Sequence, residues 1–245
     1  MQLPVFNRRC LFLCFCLTTL VPRLSAGDVT GRVELIDSRD PGVRKHGDRS
    51  GVVISLDPLS GADTKPAQPI RATITQKDKT FLPHMLAIPV GSTVDFPNLD
   101  PIFHNAFSSY NGQLFDLGLY PPGSTRSVKF TRAGVVRVFC NIHSSMSAMI
   151  VVLATPWFAV TGRDGSFDIR DVMPGEYDLR LVHERATEAT LQALSRRIMV
   201  PKDAMNLGVL NISEAGHLST PHKNKYGRDY PPDQDEHAAY PEVGK

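Results

Sequence analysis

The chain has 245 residues, of which 42% are hydrophobic and 21% charged, with a formal net charge of +2. That length exceeds what one small domain needs, so two are expected, and the apolar fraction is enough to build a core. A charge this close to zero gives no electrostatic reason to expect nucleic acid or a charged membrane surface as a partner.

Arg8 and Arg9 precede an apolar run over residues 10–21, and Leu24, Ser25 and Ala26 end it with small residues. Charged start, short apolar middle and small end form the pattern of a secretory signal peptide over residues 1–26, cut near Ala26. The run is short for a bilayer span and no later segment approaches its length. The mature chain is therefore expected to have no membrane span and to be periplasmic or secreted; an uncleaved anchor is the alternative. Removing the leader takes away Arg8, Arg9 and Arg23 and leaves 24 basic against 25 acidic residues. It also takes Cys10, Cys14 and Cys16, so that Cys140 stands alone. Exported proteins use cysteine mainly in pairs, because their compartment oxidises thiols. A solitary thiol there calls for a reason, although a buried cysteine can also serve as a small hydrophobe.

Beyond residue 26 the sequence reads as all-β: stretches rich in Val, Ile, Phe and Thr, interrupted at short intervals by turn residues. Strands are expected at 29–35, 51–56, 72–76, 85–90, 93–96, 127–130, 135–140 and 148–153. After Pro156 a second group follows at 158–161, 167–169, 177–182, 196–200 and 207–212. Asp164-Gly165 is a tight-turn signal between the first two of these. Phe167 and Ile169, then Tyr177, Leu179 and Leu181, alternate with polar residues as half-buried strands do. Residues 186–194 can form one short helix. Residues 213–245 are polar and Pro-bearing and read as a disordered tail.

Cys140, His143 and Met146 are spaced by three. On a strand that spacing sends Cys140 and His143 to opposite faces, and on a helix Met146 stands about 120° from Cys140. A loop is left, running between the strands at 135–140 and 148–153, and Asn141, Ser144, Ser145 and Ser147 suit one. Three donors from one loop leave room for a fourth. His104 is the outstanding candidate, in the turn-rich PNLDPIFHNAF after the strand at 93–96. A thiolate, two imidazoles and a thioether select copper, and a His-His-Cys plane with a weak axial Met is an electron-transfer arrangement. Zinc is the competing metal, but thioether sulfur is not among its usual ligands. Met149 falls inside a strand and reads as core, His84 as a rim residue, and His183 as structural or exposed. His46, His217, His222 and His237 lie in polar segments.

Residues 82–153 resemble a small blue copper protein of the cupredoxin family, of the amicyanin type. The residues that carry the likeness are His104-Asn105, Cys140-Asn141-Ile142-His143-Ser144-Ser145-Met146, and IPVGSTVDFPNLD from Ile88. The resemblance implies a Greek-key β-sandwich in which His104, Cys140 and His143 hold one type 1 copper ion closely and Met146 holds it weakly. It also implies that Asn105 ties the two ligand loops together, and that His143 opens onto an apolar docking patch. Ile142, Phe107 and Pro101 are candidate members of that patch. Multicopper oxidases and copper nitrite reductases flank the cysteine with histidines for a second, catalytic copper; here Phe139 and Asn141 flank it. No nucleophile elbow or phosphate loop appears, so an electron carrier is expected rather than an enzyme.

Thr161 to Glu184 resembles a second family, the carboxypeptidase regulatory-like or transthyretin-like β-sandwich, through Asp164-Gly165, Phe167, Pro174-Gly175 and Tyr177. Gly31-Arg32-Val33 and the GVVISLDP stretch from Gly51 look like its first two strands. The expected organisation is a discontinuous sandwich, 27–62 with 155–212, into which a copper domain at 63–154 is inserted; two tandem domains are the alternative. The function expected is single-electron transfer between periplasmic partners, such as a c-type cytochrome and a dehydrogenase; the amicyanin likeness implies methylamine utilisation as one setting for it. Copper storage, delivery or sensing without electron transfer is the alternative, and an adhesion or sugar-binding module a third class.

Overall fold

The computed structural model describes residues 26–59, 66–109, 112–217 and 222–230. The expected leader falls outside them except for Ala26, as does His237. The fold is all-β. In chain order it runs β1 (Gly27–Ile36), helix α1 (Pro41–His46) and β2 (Val53–Pro58). Then come β3 (Arg71–Thr73), β4 (Thr75–Lys77), β5 (Thr80–Leu82), β6 (Met85–Pro89) and β7 (Thr93–Pro97). Next are β8 (Phe107–Ser108), β9 (Phe115–Asp116), β10 (Thr125–Lys129), β11 (Gly134–Phe139) and β12 (Ser147–Leu153). The last group is β13 (Phe158–Val160), β14 (Ser166–Val172), β15 (Gly175–Val182), α2 (Glu188–Leu194), β16 (Arg196–Val200) and β17 (Met205–Ser213).

The middle of the chain forms a sheet ordered β6-β12-β11-β8-β9 and a sheet ordered β10-β7-β3, with the hairpin β4-β5 beside them. Alternate side chains of these strands, Ile88, Val94, Phe96, Val136, Val138, Ile150 and Val152 among them, fill one apolar core. Strand β12, SAMIVVL, is buried along almost its whole length. Ala148, Ile150 and Val152 enter that core, while Met149 and Val151 face the other way and meet Met85, Ala87 and Val53. A strand covered on both faces reads as a continuous apolar run rather than an alternating one. It also makes Met149 a packing residue.

Strand β1 pairs antiparallel with β14 and parallel with β17, and β2 pairs antiparallel with both β13 and β15. The strands before residue 59 thus share their sheets with strands after residue 157, and the two sheets enclose a second apolar core around Val33, Ile54, Trp157, Ile169, Tyr177 and Leu179. The Asp164-Gly165 turn joins β13 to β14, which lie in different sheets. Gly165 is required there: its φ is +83°, and a Cβ would stand 2.2 Å from the Val33 carbonyl oxygen.

Two features depart from the sequence reading. Helix α1 is new; Asp40 caps it by accepting from Val43 N–H at 3.1 Å, Pro41 opens it and Gly47 closes it at φ +61°. The tail expected to be disordered from residue 213 is ordered at 213–217 and again at 222–230, where it packs on the protein. Its polar side chains find partners across the fold, which composition does not register. Residues 218–221 and 231–245 lie outside the described residues. Among the described residues no helix is long and apolar enough to cross a membrane.

Candidate metal centre

Strands β11 and β12 form a hairpin whose last pair is Phe139 with Ser147, so residues 140–146 are the loop that closes it. The loop bonds to itself: Cys140 N–H donates to the Met146 carbonyl and Met146 N–H to the His143 carbonyl, each at 3.2 Å. The irregular backbone turns Cys140 and His143 to one point, which neither regular structure could do. His104 arrives from the opposite side, fixed by a two-bond bridge to Tyr120 at 3.2 and 2.9 Å.

Sγ of Cys140 lies 3.6 Å from Nδ1 of His143 and 4.0 Å from Nδ1 of His104. The three donor atoms all lie within 4.8 Å of one another. Cys140, His104 and Met146 are fully buried, and His143 is half-buried. Met146 belongs to the same apolar cluster as Cys140. The imidazoles of His104 and His143 meet edge to face, with centroids 4.9 Å apart.

The orientation of His104 has an identifiable cause. Its Nε2 lies 2.7 Å from Oδ2 of Asp100. An ionised carboxylate only accepts, so the ring proton sits on Nε2 and Nδ1 keeps its lone pair toward Cys140. Burial raises the Asp100 pKa, but hydrogen bonds from Lys79 N–H, from His104 and from Asp78 N–H outweigh it, and the net shift is downward. The backbone donors stand at 2.9 Å (Lys79) and 2.6 Å (Asp78). Asn98 shapes the same turn, accepting from Asp100 N–H at 3.1 Å and donating to the Ile102 carbonyl at 2.8 Å.

Around Cys140, burial pushes the thiol pKa up, while hydrogen bonds from the backbone of Ile142, Asn105 and His143 act in the opposite direction. Those N–H groups are arranged to stabilise a sulfur anion once a cation offsets the burial. Asn105 joins the two donor loops: its Oδ1 accepts from Asn141 N–H at 3.3 Å and its Nδ2 donates to Asp116 at 2.8 Å. Behind His104, Gln76 donates to the buried Tyr120 hydroxyl, which donates to the Phe96 carbonyl at 3.0 Å.

The four side chains singled out from sequence therefore lie in two adjoining loops, and three of them present donor atoms to one point. Phe107 does not belong to a surface patch. It is buried, because β8 pairs it with Phe139 of β11 and turns its ring inward. Leu99, Phe103 and Leu119 are the exposed apolar residues nearby in the chain, in the turn leading to His104 and beside Tyr120. His84 is half-exposed and paired with Glu184, and His183 is buried against Glu214 at 2.8 Å. Asp100, Tyr120 and Gln76 escape a sequence reading, since nothing local marks an Asp in a turn or a Tyr before two prolines as part of a site.

No protein-family model and no curated protein matches the chain by sequence. Among solved structures, a copper-containing nitrite reductase from Thermus scotoductus SA-01 is 27% identical over 40% of this chain, with a TM-score of 0.33. The chain spans 25% of that enzyme's length. A purple cupredoxin from Nitrosopumilus maritimus is 29% identical, covering 34% of this chain and 99% of its own, with a TM-score of 0.31. A methionine-to-alanine mutant of amicyanin in its Cu(I) form is 19% identical, covering 41% of this chain and 98% of its own, with a TM-score of 0.32.

Proposed function

We propose that this chain is an exported type 1 copper protein that carries single electrons between redox partners. The observation behind the reading is the buried trio of His104, Cys140 and His143, with the sulfur 3.6 and 4.0 Å from two ring nitrogens. A first-row ion bonded to nitrogen at about 2.0–2.1 Å and to sulfur at about 2.3 Å separates such donors by roughly 3.5–3.8 Å. The donor spacing therefore fits one ion, and the soft sulfurs with two imidazoles favour copper. His104 and His143 would hold it through Nδ1, Cys140 through Sγ and Met146 weakly through its thioether. Copper bound there supplies one-electron chemistry by alternating between Cu(I) and Cu(II).

The protein's own part is to hold the donors still and keep water out. Asp100 fixes the tautomer and angle of His104, Asn105 keeps the two loops in register, and the surrounding apolar side chains exclude solvent. Such outer partners tune affinity and potential. His143, the half-buried donor, is the natural exit for the electron, and a partner would dock beside it against the half-buried Ile142 and the exposed Pro101. The finer reading is an amicyanin-like carrier between a periplasmic dehydrogenase and a c-type cytochrome, with residues 27–62 and 155–212 as a discontinuous regulatory-like sandwich. Methylamine utilisation is one setting for such a carrier.

Loading purified protein with Cu(II) tests it. One equivalent of copper should give intense visible absorption from thiolate–Cu(II) charge transfer, lost in Cys140→Ser, and a c-type cytochrome should reduce the site reversibly. Stoichiometric uptake without colour would point to storage or delivery instead.

A further inference from the structure

The ordered tail segment 222–230 lies against one side of the donor loop. Tyr230 Oη donates to the carbonyl of Cys140 at 2.5 Å, and Lys225 N–H donates to Oδ1 of Asn141 at 2.9 Å. Lys225 Nζ reaches Asp116 Oδ2 at 2.8 Å, the carboxylate that also accepts from Asn105. The His222 ring stacks on Phe139, with centroids 4.2 Å apart and planes 25° apart. The segment is itself a closed turn: Asn224 and Arg228 pair through the backbone at 2.9 Å, and Asn224 Oδ1 accepts from Tyr226 and Arg228 N–H. Gly227, at φ +75°, allows the reversal.

The hydrogen bonds have a direction. Nδ1 of His222 lies 3.2 Å from both the Lys223 carbonyl and Tyr230 Oη. A carbonyl only accepts, so Nδ1 carries the proton. Tyr230 Oη can then accept from His222 and pass its single proton to the Cys140 carbonyl. By contrast, the loop's internal bonds and its link to Asn105 are 3.2–3.3 Å long, at the weak end of the range. The tail supplies the two shortest of these anchors, one to the Cys140 carbonyl and one to the Asn141 side chain.

We infer that segment 222–230 is a built-in strap that clamps the Cys140 side of the donor loop and bars access to its thiol, with Tyr230 as the positioning residue. From the copper reading the inference takes only the identity of 140–146 as a ligand loop.

The test uses the full-length chain without metal: the rate at which N-ethylmaleimide modifies Cys140 under native conditions, read by mass spectrometry on the peptide that contains it so that Cys10, Cys14 and Cys16 do not contribute, with hydrogen exchange of the 141–146 amides. In Tyr230→Phe, which keeps the ring and loses only the hydroxyl, labelling should rise about five- to tenfold, the effect of one lost hydrogen bond. The triple variant His222→Ala, Lys225→Ala, Tyr230→Phe should label faster still. Exchange should quicken in 141–146 while the amides of β12 keep their protection and the thermal midpoint barely moves. Wild-type labelling rates in both variants would overturn the strap, as would acceleration spread evenly over the whole protein. Because this assay contains no copper, it stands even if the copper reading fails. A blue holoprotein with unchanged labelling would sink the strap alone.

Discussion

In the core beneath the donor loop, buried polar side chains run in a connected series: Gln76 to Tyr120, Asn98 to the turn that carries Asp100, Asp100 to His104, and Asn105 to the Cys140 loop. The core shared by β1, β2 and β13–β17 is mainly apolar; its buried Thr155 and Thr161 bond to backbone groups, and its one buried ionisable pair, His183 with Glu214 among the described residues, sits at the edge beside Arg185 and Ser38. Buried polar groups are costly unless fully bonded, and a bonded network holds its members in one geometry. The first core accepts that cost where donor positions matter. The second has no such positions to hold and packs as a scaffold.

Core truncations should separate the two regions most sharply. Leu179→Ala, in the scaffold core, should cost about 2–5 kcal/mol in urea unfolding and leave the visible spectrum of copper-loaded protein unchanged. Phe96→Ala should cost about 3–5 kcal/mol and also shift the spectrum, because it undermines the strand whose carbonyl holds Tyr120. A spectral change in the first variant would break the comparison.

Asp100→Asn is smaller and more local. The amide can offer N–H where the carboxylate only accepted, so His104 loses its fixed tautomer. Copper affinity should fall about 10–100-fold, with much less effect on unfolding; competition with a chelator of known affinity measures it.

The smallest effect concerns the clamp between the regions, where His84 bonds to Glu184 through Nε2 and to the Ser147 carbonyl at 3.0 Å through Nδ1. Glu184 raises the His84 pKa and His84 lowers that of Glu184, while Arg185 opposes the first shift and Arg137 and Arg185 reinforce the second. The His84 contribution is complete below its ordinary value near 6.5 and is lost as pH rises through the raised folded value. The Glu184 contribution is complete above its ordinary 4.5 and is lost as pH falls through the lowered folded value. The clamp is therefore strongest between those two ordinary values and weakens toward alkaline pH. Because His84 is half-exposed, the gain is modest. The thermal midpoint should drop slightly from about pH 6 to about pH 9, and His84→Gln should flatten that slope; an unaltered slope would exclude the clamp.

Much of this is legible in the sequence because it is local. Cys140, His143 and Met146 sit within one short run, and the neighbouring Asn105 marks His104. The strands of the scaffold announce themselves by alternation at Phe167, Ile169, Tyr177, Leu179 and Leu181. What stays hidden acts across the fold. Asp100 matters through a bond to a ring, and Tyr230 through a bond to a carbonyl far away in the chain. Strands β8 and β9, two residues each, are too short to leave a periodic trace. Phe107 reads as surface because its partner Phe139 is supplied by β11. Helix α1 is a different kind of miss, since Asp40, Pro41 and Gly47 spell its start and stop in six residues too brief for an apolar stripe.

Strand β1 pairs with β14 and β17, and β2 with β13 and β15. The earliest-made strands must therefore wait until nearly everything else has been synthesised before their edges are satisfied. The unit that carries the donor loop closes its sheets among nearer neighbours and can form them in the meantime, whereas both the outer sheets and the contacts of segment 222–230 with the donor loop have to await the later residues.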